Sequence, residues 1–200
     1  MATPLLLARP TNLRADSARN RSQIVDIARR MVADDSGSLS MNALAHAAGV
    51  GVGTVYRHFP TIQVLLESLA ADSFAKLVVE TREALLEPDP SVALDRIIRS
   101  GFDCQIEDPW LATVLASPSF ECADIHDYSI ELFTNIGTIV TRARESAALR
   151  TDVTADDIRR LLNGLYVAAK DLPAEKRAQY LDVLLTGLRP ARLTSSREAS

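Results

Sequence analysis

No stretch of this 200-residue chain approaches the ~18–20 consecutive apolar residues that a membrane-spanning helix needs. The opening MATPLLLARP carries only three leucines in a row. That is too short for the apolar region of a signal peptide, so a frayed tail and a cytoplasmic protein are expected. Cysteine is scarce. Cys104 and Cys122 stand in no metal-ligand spacing, and in a reducing compartment they are expected as two buried thiols. His46, His58 and His126 are far apart with no acidic pattern beside them, so no metal and no cofactor is expected. A helical enzyme using Cys104 or Cys122 with His126 is disfavoured, because that order is no nucleophile signature and no glycine-rich loop lies near. No segment alternates polar and apolar residues as a half-buried strand does, and no repeat is evident. The fold class is therefore all-α.

What is present suits a folded domain. Hydrophobic residues make up 47% and charged residues 24%, and the mean hydropathy is +0.04, values of neither a disordered nor a membrane chain. Two hundred residues can bury a sizeable core, as one domain or as a small domain fused to a larger one. The net charge of −4 is unevenly shared. Residues 1–60 hold seven Arg, no Lys and four Asp, a net +3, which leaves −7 on the remainder. A basic N-terminal part on an acidic body is the asymmetry expected where one end meets phosphate.

The stretch Ser40–Phe59, SMNALAHAAGVGVGTVYRHF, organises that basic part. Met41, Leu44, Ala45 and Ala48 fall at helical spacing on one face. Ser40 precedes them as an N-cap, and Gly49 follows where a C-terminus accepts positive φ. After the turn, Val52 and Val55 are placed to face the first helix, with Thr54, Tyr56, Arg57 and His58 offering donors outward. Two short helices joined by a glycine-containing turn make a helix-turn-helix, whose second helix enters the DNA major groove.

Around it the pattern predicts about nine helices. Residues 1–16 read as a flexible basic arm bearing Arg9 and Arg14. A helix capped at Asp16 or Ser17 then runs to about Asp34, with Arg19 and Arg21 in its first turn, where cations and helix N-terminus can both meet phosphate. Residues 17–60 form the DNA-binding domain. Thr61 caps a helix from Ile62 to about Leu86, and Ser91 caps the next, to about Ile106. Asp108-Pro109 opens a short helix, and another spans about Ala123–Ala148. Thr154 caps the eighth, and the ninth ends at Gly187 and Pro190. Residues 61–190 are expected as a larger helical domain, and 191–200 as a disordered tail.

Residues 17–70, and above all Gly53-Thr-Val-Tyr-Arg-His-Phe-Pro60 followed by Leu65-Leu66, resemble the DNA-binding domain of the TetR family of bacterial transcriptional regulators. The resemblance implies a homodimeric, usually repressing regulator that binds a near-palindromic double-stranded DNA operator and is released by a small-molecule effector. By it, Thr54 matches a position contacting base or phosphate, and Tyr56 and His58 match phosphate contacts. Arg57 matches a groove-facing position suited to bidentate readout of guanine. Ser40 matches a position that often reaches phosphate, and Val52 and Gly53 occupy slots where relatives often place polar readers. Two departures stand out. The family's common Lys two residues after the Pro is Ile62 here, and positions 51–53, GVG, lack the usual Ser or Lys.

In the regulatory half Phe102, Trp110, Leu111, Phe133, Asn163 and Tyr166 are the expected ligand-pocket residues, as aromatic or polar groups on otherwise apolar faces. Leu162, Leu165, Tyr166, Leu181, Leu184 and Leu188 are the expected dimer interface, a four-helix seam formed by the last two helices and their symmetry mates. The competing reading is a ligand-binding or protein-interaction helical module that has lost operator binding, to which Ile62 lends support.

Overall fold

The structure is a computed structural model and describes residues 10–33, 39–117 and 119–190. Residues 1–9 of the expected arm and the expected tail 191–200 lie outside the described residues. Nine helices are present among the described residues, and no strand. They are α1 (Pro10–Ala33), α2 (Met41–Ala48), α3 (Val52–His58), α4 (Ile62–Leu86), α5 (Pro90–Glu107), α6 (Pro109–Ala116), α7 (Ala123–Glu145), α8 (Ala155–Ala169) and α9 (Ala174–Leu188). The chain divides into two compact units, residues 1–69 and 70–200, with the division falling inside α4.

Helix starts follow the caps. Ser40 Oγ accepts from the Ala43 amide at 3.2 Å, and Thr61 Oγ1 accepts from Val64 at 3.1 Å. Asp108 Oδ1 accepts from Trp110 at 2.9 Å, ahead of Pro109 at the first helical position. Thr154 and Asp157 form a reciprocal capping box. Two starts differ from expectation. α1 begins at Pro10 rather than Asp16 or Ser17, because a proline is pre-set for the first turn and lacks only an amide the helix does not use. Arg19 and Arg21 accordingly lie in its third and fourth turns, beyond the reach of an N-terminal dipole. α5 is capped by Asp89, whose carboxylate accepts from Ser91 at 2.8 Å, with Pro90 inside the helix.

In the first unit the buried side chains are Ile24, Val25 and Ala28 of α1, Met41, Leu44 and Ala45 of α2, Val55 of α3, Phe59, and Leu65 and Leu69 of α4. α1 packs on α2 and α2 on α3. In the second unit α5 lies at the centre, against α6, α7, α8 and α9. The core there joins Leu94, Ile98 and Phe102 of α5 to Ile139 of α7, Ile158 and Leu162 of α8, and Leu181, Leu185 and Leu188 of α9. Arg142 closes the C-terminus of α4 by donating to the Leu85 and Glu87 carbonyls at 3.0 and 2.7 Å.

Candidate functional site

The turn between α2 and α3 is made by Gly49, whose φ of +65° belongs to the left-handed region. The amides of Gly49 and Val50 close on the carbonyls of His46 and Ala45 at 3.2 and 3.1 Å, which fixes the direction in which α3 leaves. α3 then buries one flank and exposes the other. Val55 and the following Phe59 are fully buried, while Tyr56 is 48% and Val52 40% exposed. Gly53 and Arg57 are exposed, and Thr54 and His58 half-buried. Val52 therefore faces outward, not toward α2 as its apolar character suggested. A seven-residue helix has only one inner flank, and Val55 and Phe59 occupy it. At Gly51 and Gly53 an added Cβ would meet nothing within 4 Å, so packing does not demand glycine there. Their effect is a bare backbone at the leading end of α3, open to close approach.

Ser40 Oγ uses one lone pair on the α2 cap, which leaves its hydroxyl proton to donate outward. Arg19 is exposed and pairs with Asp16 at 3.4 Å. Arg21 stands otherwise. Its guanidinium lies 4.9 Å over the Phe59 ring and donates to Ser68 Oγ at 2.8 Å. It braces α1 against the end of α3 and the early turns of α4, and its expected place in the first turn of α1 is corrected to the fourth. His58, with its ring 6.3 Å from that of Phe59, has its pKa lowered by burial first and by the Arg21 and Arg57 charges next. Ile62, in place of the family's Lys, is 42% exposed.

The second unit encloses a cavity of about 60 Å³ between α4, α5, α6, α7 and α8. Of the six expected pocket residues, Phe133 lines it. Phe102 and Leu111 are sealed in the core at 1% and 0% exposure, because they continue the inward stripes of α5 and α6. Trp110, Asn163 and Tyr166 are half-buried elsewhere. What the sequence reading missed are Thr81 and Gln105, polar residues buried on apolar faces of α4 and α5. Cys104 is buried and its thiol is pushed up to about 11 by that burial, so it is an inert packing group. Among the described residues no group of His, Cys, Asp or Glu is placed to hold a metal ion.

The expected dimer residues divide. Leu162, Leu181 and Leu188 point into their own core and are unavailable to a partner; Leu165, Tyr166 and Leu184 are half-buried. The outward apolar residues of α8 and α9 are Leu161, Val167, Tyr180 and Val183.

A three-helix unit that presents an exposed polar helix flank behind a helix-turn-helix, joined to a larger helical unit, defines a two-domain DNA-binding regulator. The family profile "Bacterial regulatory proteins, tetR family" matches residues 24–69, and "Transcriptional regulator SbtR-like, C-terminal domain" matches residues 89–190. The chain belongs to the TetR family of DNA-binding transcriptional regulators, a family of regulators rather than of enzymes. It is similar to the HTH-type transcriptional repressor LfrR of Mycolicibacterium smegmatis, at 27% identity over 187 residues, 90% of this chain and 93% of that protein. Among solved structures it is similar to the TetR transcriptional regulator SCO0520 from Streptomyces coelicolor, at 27% identity and a TM-score of 0.50, covering 86% of this chain and 99% of that one. The fold also matches Thermus thermophilus FadR, a TetR-family repressor solved in complex with lauroyl-CoA, at 21% identity and a TM-score of 0.58 over 90% of this chain and 98% of that one. No helix among the described residues is long and apolar enough to cross a membrane.

Proposed function

We propose that this chain is a cytoplasmic repressor that binds a near-palindromic operator as a homodimer and leaves it when a small molecule occupies the second unit. The observation that carries the reading is the two-sided α3: Val55 buried, with Phe59 sealed just past its end, and Tyr56, Arg57 and Val52 turned to solvent. The similarity to LfrR, named a repressor, supports the sign of the regulation. The outward face of α8 and α9 supports the dimer, whose two reading helices must sit ~34–36 Å apart to meet successive major grooves. An effector must bind the non-reading arrangement more tightly, since equal affinity for both shifts nothing. The test is a gel shift on the DNA upstream of the protein's own gene at two salt concentrations. Binding that weakens steeply with salt and saturates as a dimer supports the reading, and no retardation at low salt overturns it.

Arg57 and Tyr56 should separate readout from positioning. Arg57→Ala is expected to cost about 1–3 kcal/mol and to relax preference at one base pair per half-site. Tyr56→Phe removes a phosphate donor and should cost about 0.5–1.5 kcal/mol on every sequence alike. A randomised-operator binding assay reads both; equal loss on all sequences for Arg57→Ala would overturn its readout role.

His58 gives a pH dependence. Burial and two neighbouring arginines hold its pKa below the ordinary 6.5, so the imidazole is neutral in the free protein at neutral pH. The unfolded chain binds the proton more readily, so stability of the first unit is full above pH 6.5 and declines as pH falls toward the lowered value. A phosphate at His58 acts oppositely, since it favours the imidazolium and binding takes up a proton. Operator affinity should therefore rise as pH falls through that window, by up to about tenfold per unit by which phosphate raises the pKa. His58→Gln should flatten the profile, and an unchanged profile would remove His58 from the phosphate contacts.

A further inference from the structure

The cavity of the second unit has a chemistry of its own. Its walls are mostly carbon from α4, α5, α6, α7 and α8, and nearly every polar group on them is already satisfied. Thr81 Oγ1 donates to the Val78 carbonyl at 2.9 Å and accepts from Asn135 at 3.1 Å. Ser100 donates to Glu80, whose carboxylate is held by Arg96 at 3.2 Å. Arg159 is bound to Asp156 at 2.7 Å and to the Leu115 carbonyl. Gln105 is the exception. It is 1% exposed, it lines the cavity, and its Oε1 has no hydrogen-bond partner among the described residues. A buried amide oxygen left without a donor is costly, and such groups in folded proteins call for an explanation.

We infer that the effector is a compact apolar molecule carrying one O–H or N–H donor and no carboxylate, with the donor meeting Gln105 Oε1. The inference rests on the repressor reading above and names the ligand class of that unit. A carboxylate is the wrong partner, because the lining cation Arg159 is committed elsewhere and only the neutral Gln105 amide N–H would remain to offset the burial of its charge. A bare hydrocarbon would fill the carbon walls and leave Gln105 as it was. Size supplies the coupling. About 60 Å³ is well short of the ~150 Å³ of a dry protein cavity that admits benzene. A ring enters only when the surrounding helices part, and its binding free energy then favours the parted arrangement.

Phenol, toluene and benzoate share a ring and differ in the group at issue. Titrated calorimetrically into the full-length protein, phenol should bind about tenfold tighter than toluene, with benzoate weakest. Gln105→Leu keeps the shape and removes the acceptor, and should bring phenol and toluene to equal affinity. The inference is overturned if phenol has no advantage in the wild type, if benzoate binds tightest, if none of the three binds, or if phenol's advantage survives Gln105→Leu. A gel shift run on the same samples separates the two readings. Operator binding with no ring bound overturns the donor assignment and leaves the repressor standing. Phenol bound through Gln105 with no operator binding in any condition supports the site chemistry and overturns the repressor.

Discussion

Val183→Glu should convert the protein to a monomer and lower operator affinity by a hundredfold or more. Val183 is 73% exposed on α9, beside Tyr180 at 43% and, on the neighbouring α8, Leu161 at 43% and Val167 at 69%. Soluble helices keep such residues outward when another surface covers them. Gly164 and Ala168 lie within the same apolar groove as Leu161, Tyr180 and Val183, and small residues there let a facing helix approach closely. In a two-fold dimer each substitution enters twice. Two carboxylates would be buried in the seam, where the groove's arginine, Arg160, is already paired with Asp156 at 2.6 Å, at a cost of several kcal/mol each. Losing the dimer also loses the second half-site, and with it the roughly 10²–10⁴ gain that linkage of two reading heads provides. Sedimentation at micromolar concentration and an operator gel shift read the two effects together. The fold of the single chain should be unaltered by circular dichroism, since Val183 gives up little burial within its own unit. A dimer that persists with unchanged operator affinity would overturn the seam.

The same helices show where the sequence stops being legible. On α8 two apolar stripes run side by side, Ile158-Leu162-Ala169 and Leu161-Leu165-Ala168. Periodicity states that residues share a face, but where the apolar face is wide enough for two neighbours it does not say which edge meets the core and which a partner. So Leu162, Leu181 and Leu188 read as interface and are core, while Leu161 and Val183 carry the outward surface. Signals confined to one turn of chain were read correctly: Ser40 and Thr154 as caps, Gly49 as the left-handed turn, Asp108-Pro109 as a helix start. Signals that need a distant partner were not. Arg21 looks like any surface arginine until Phe59 and Ser68, 38 and 47 residues on, are brought beneath it. Gln105 looks like a solvated residue of an amphipathic helix until α5 is enclosed on several sides. The family resemblance supplied the outward role of Tyr56 and Arg57, and the geometry supplied the reason, which is the commitment of the inner flank to Val55 and Phe59.

That commitment sets the second large effect. Phe59→Ala is expected to cost the first unit about 3–5 kcal/mol, the range for truncating a fully buried phenylalanine. The ring stands at the C-terminus of α3, with its amide bonded to the Val55 carbonyl at 2.8 Å. It also carries the Arg21 guanidinium on its face, so truncation leaves that cation without its aromatic seat. A unit of this size buries a modest fraction of its surface and holds only a few kcal/mol in reserve. The substitution should therefore consume most of that reserve. Urea titration followed by circular dichroism should show an early, partial loss of helix, with the remainder melting near the wild-type midpoint. Operator binding should vanish although Tyr56, Arg57 and His58 are all intact. Phe59→Leu, which refills most of the volume, should retain measurable binding. Wild-type operator affinity in Phe59→Ala would mean that α3 does not owe its presentation to this ring. The expected outcome says the reverse: donors on the outer flank read DNA only while the inner flank is anchored, so the residue that matters most to recognition touches no DNA.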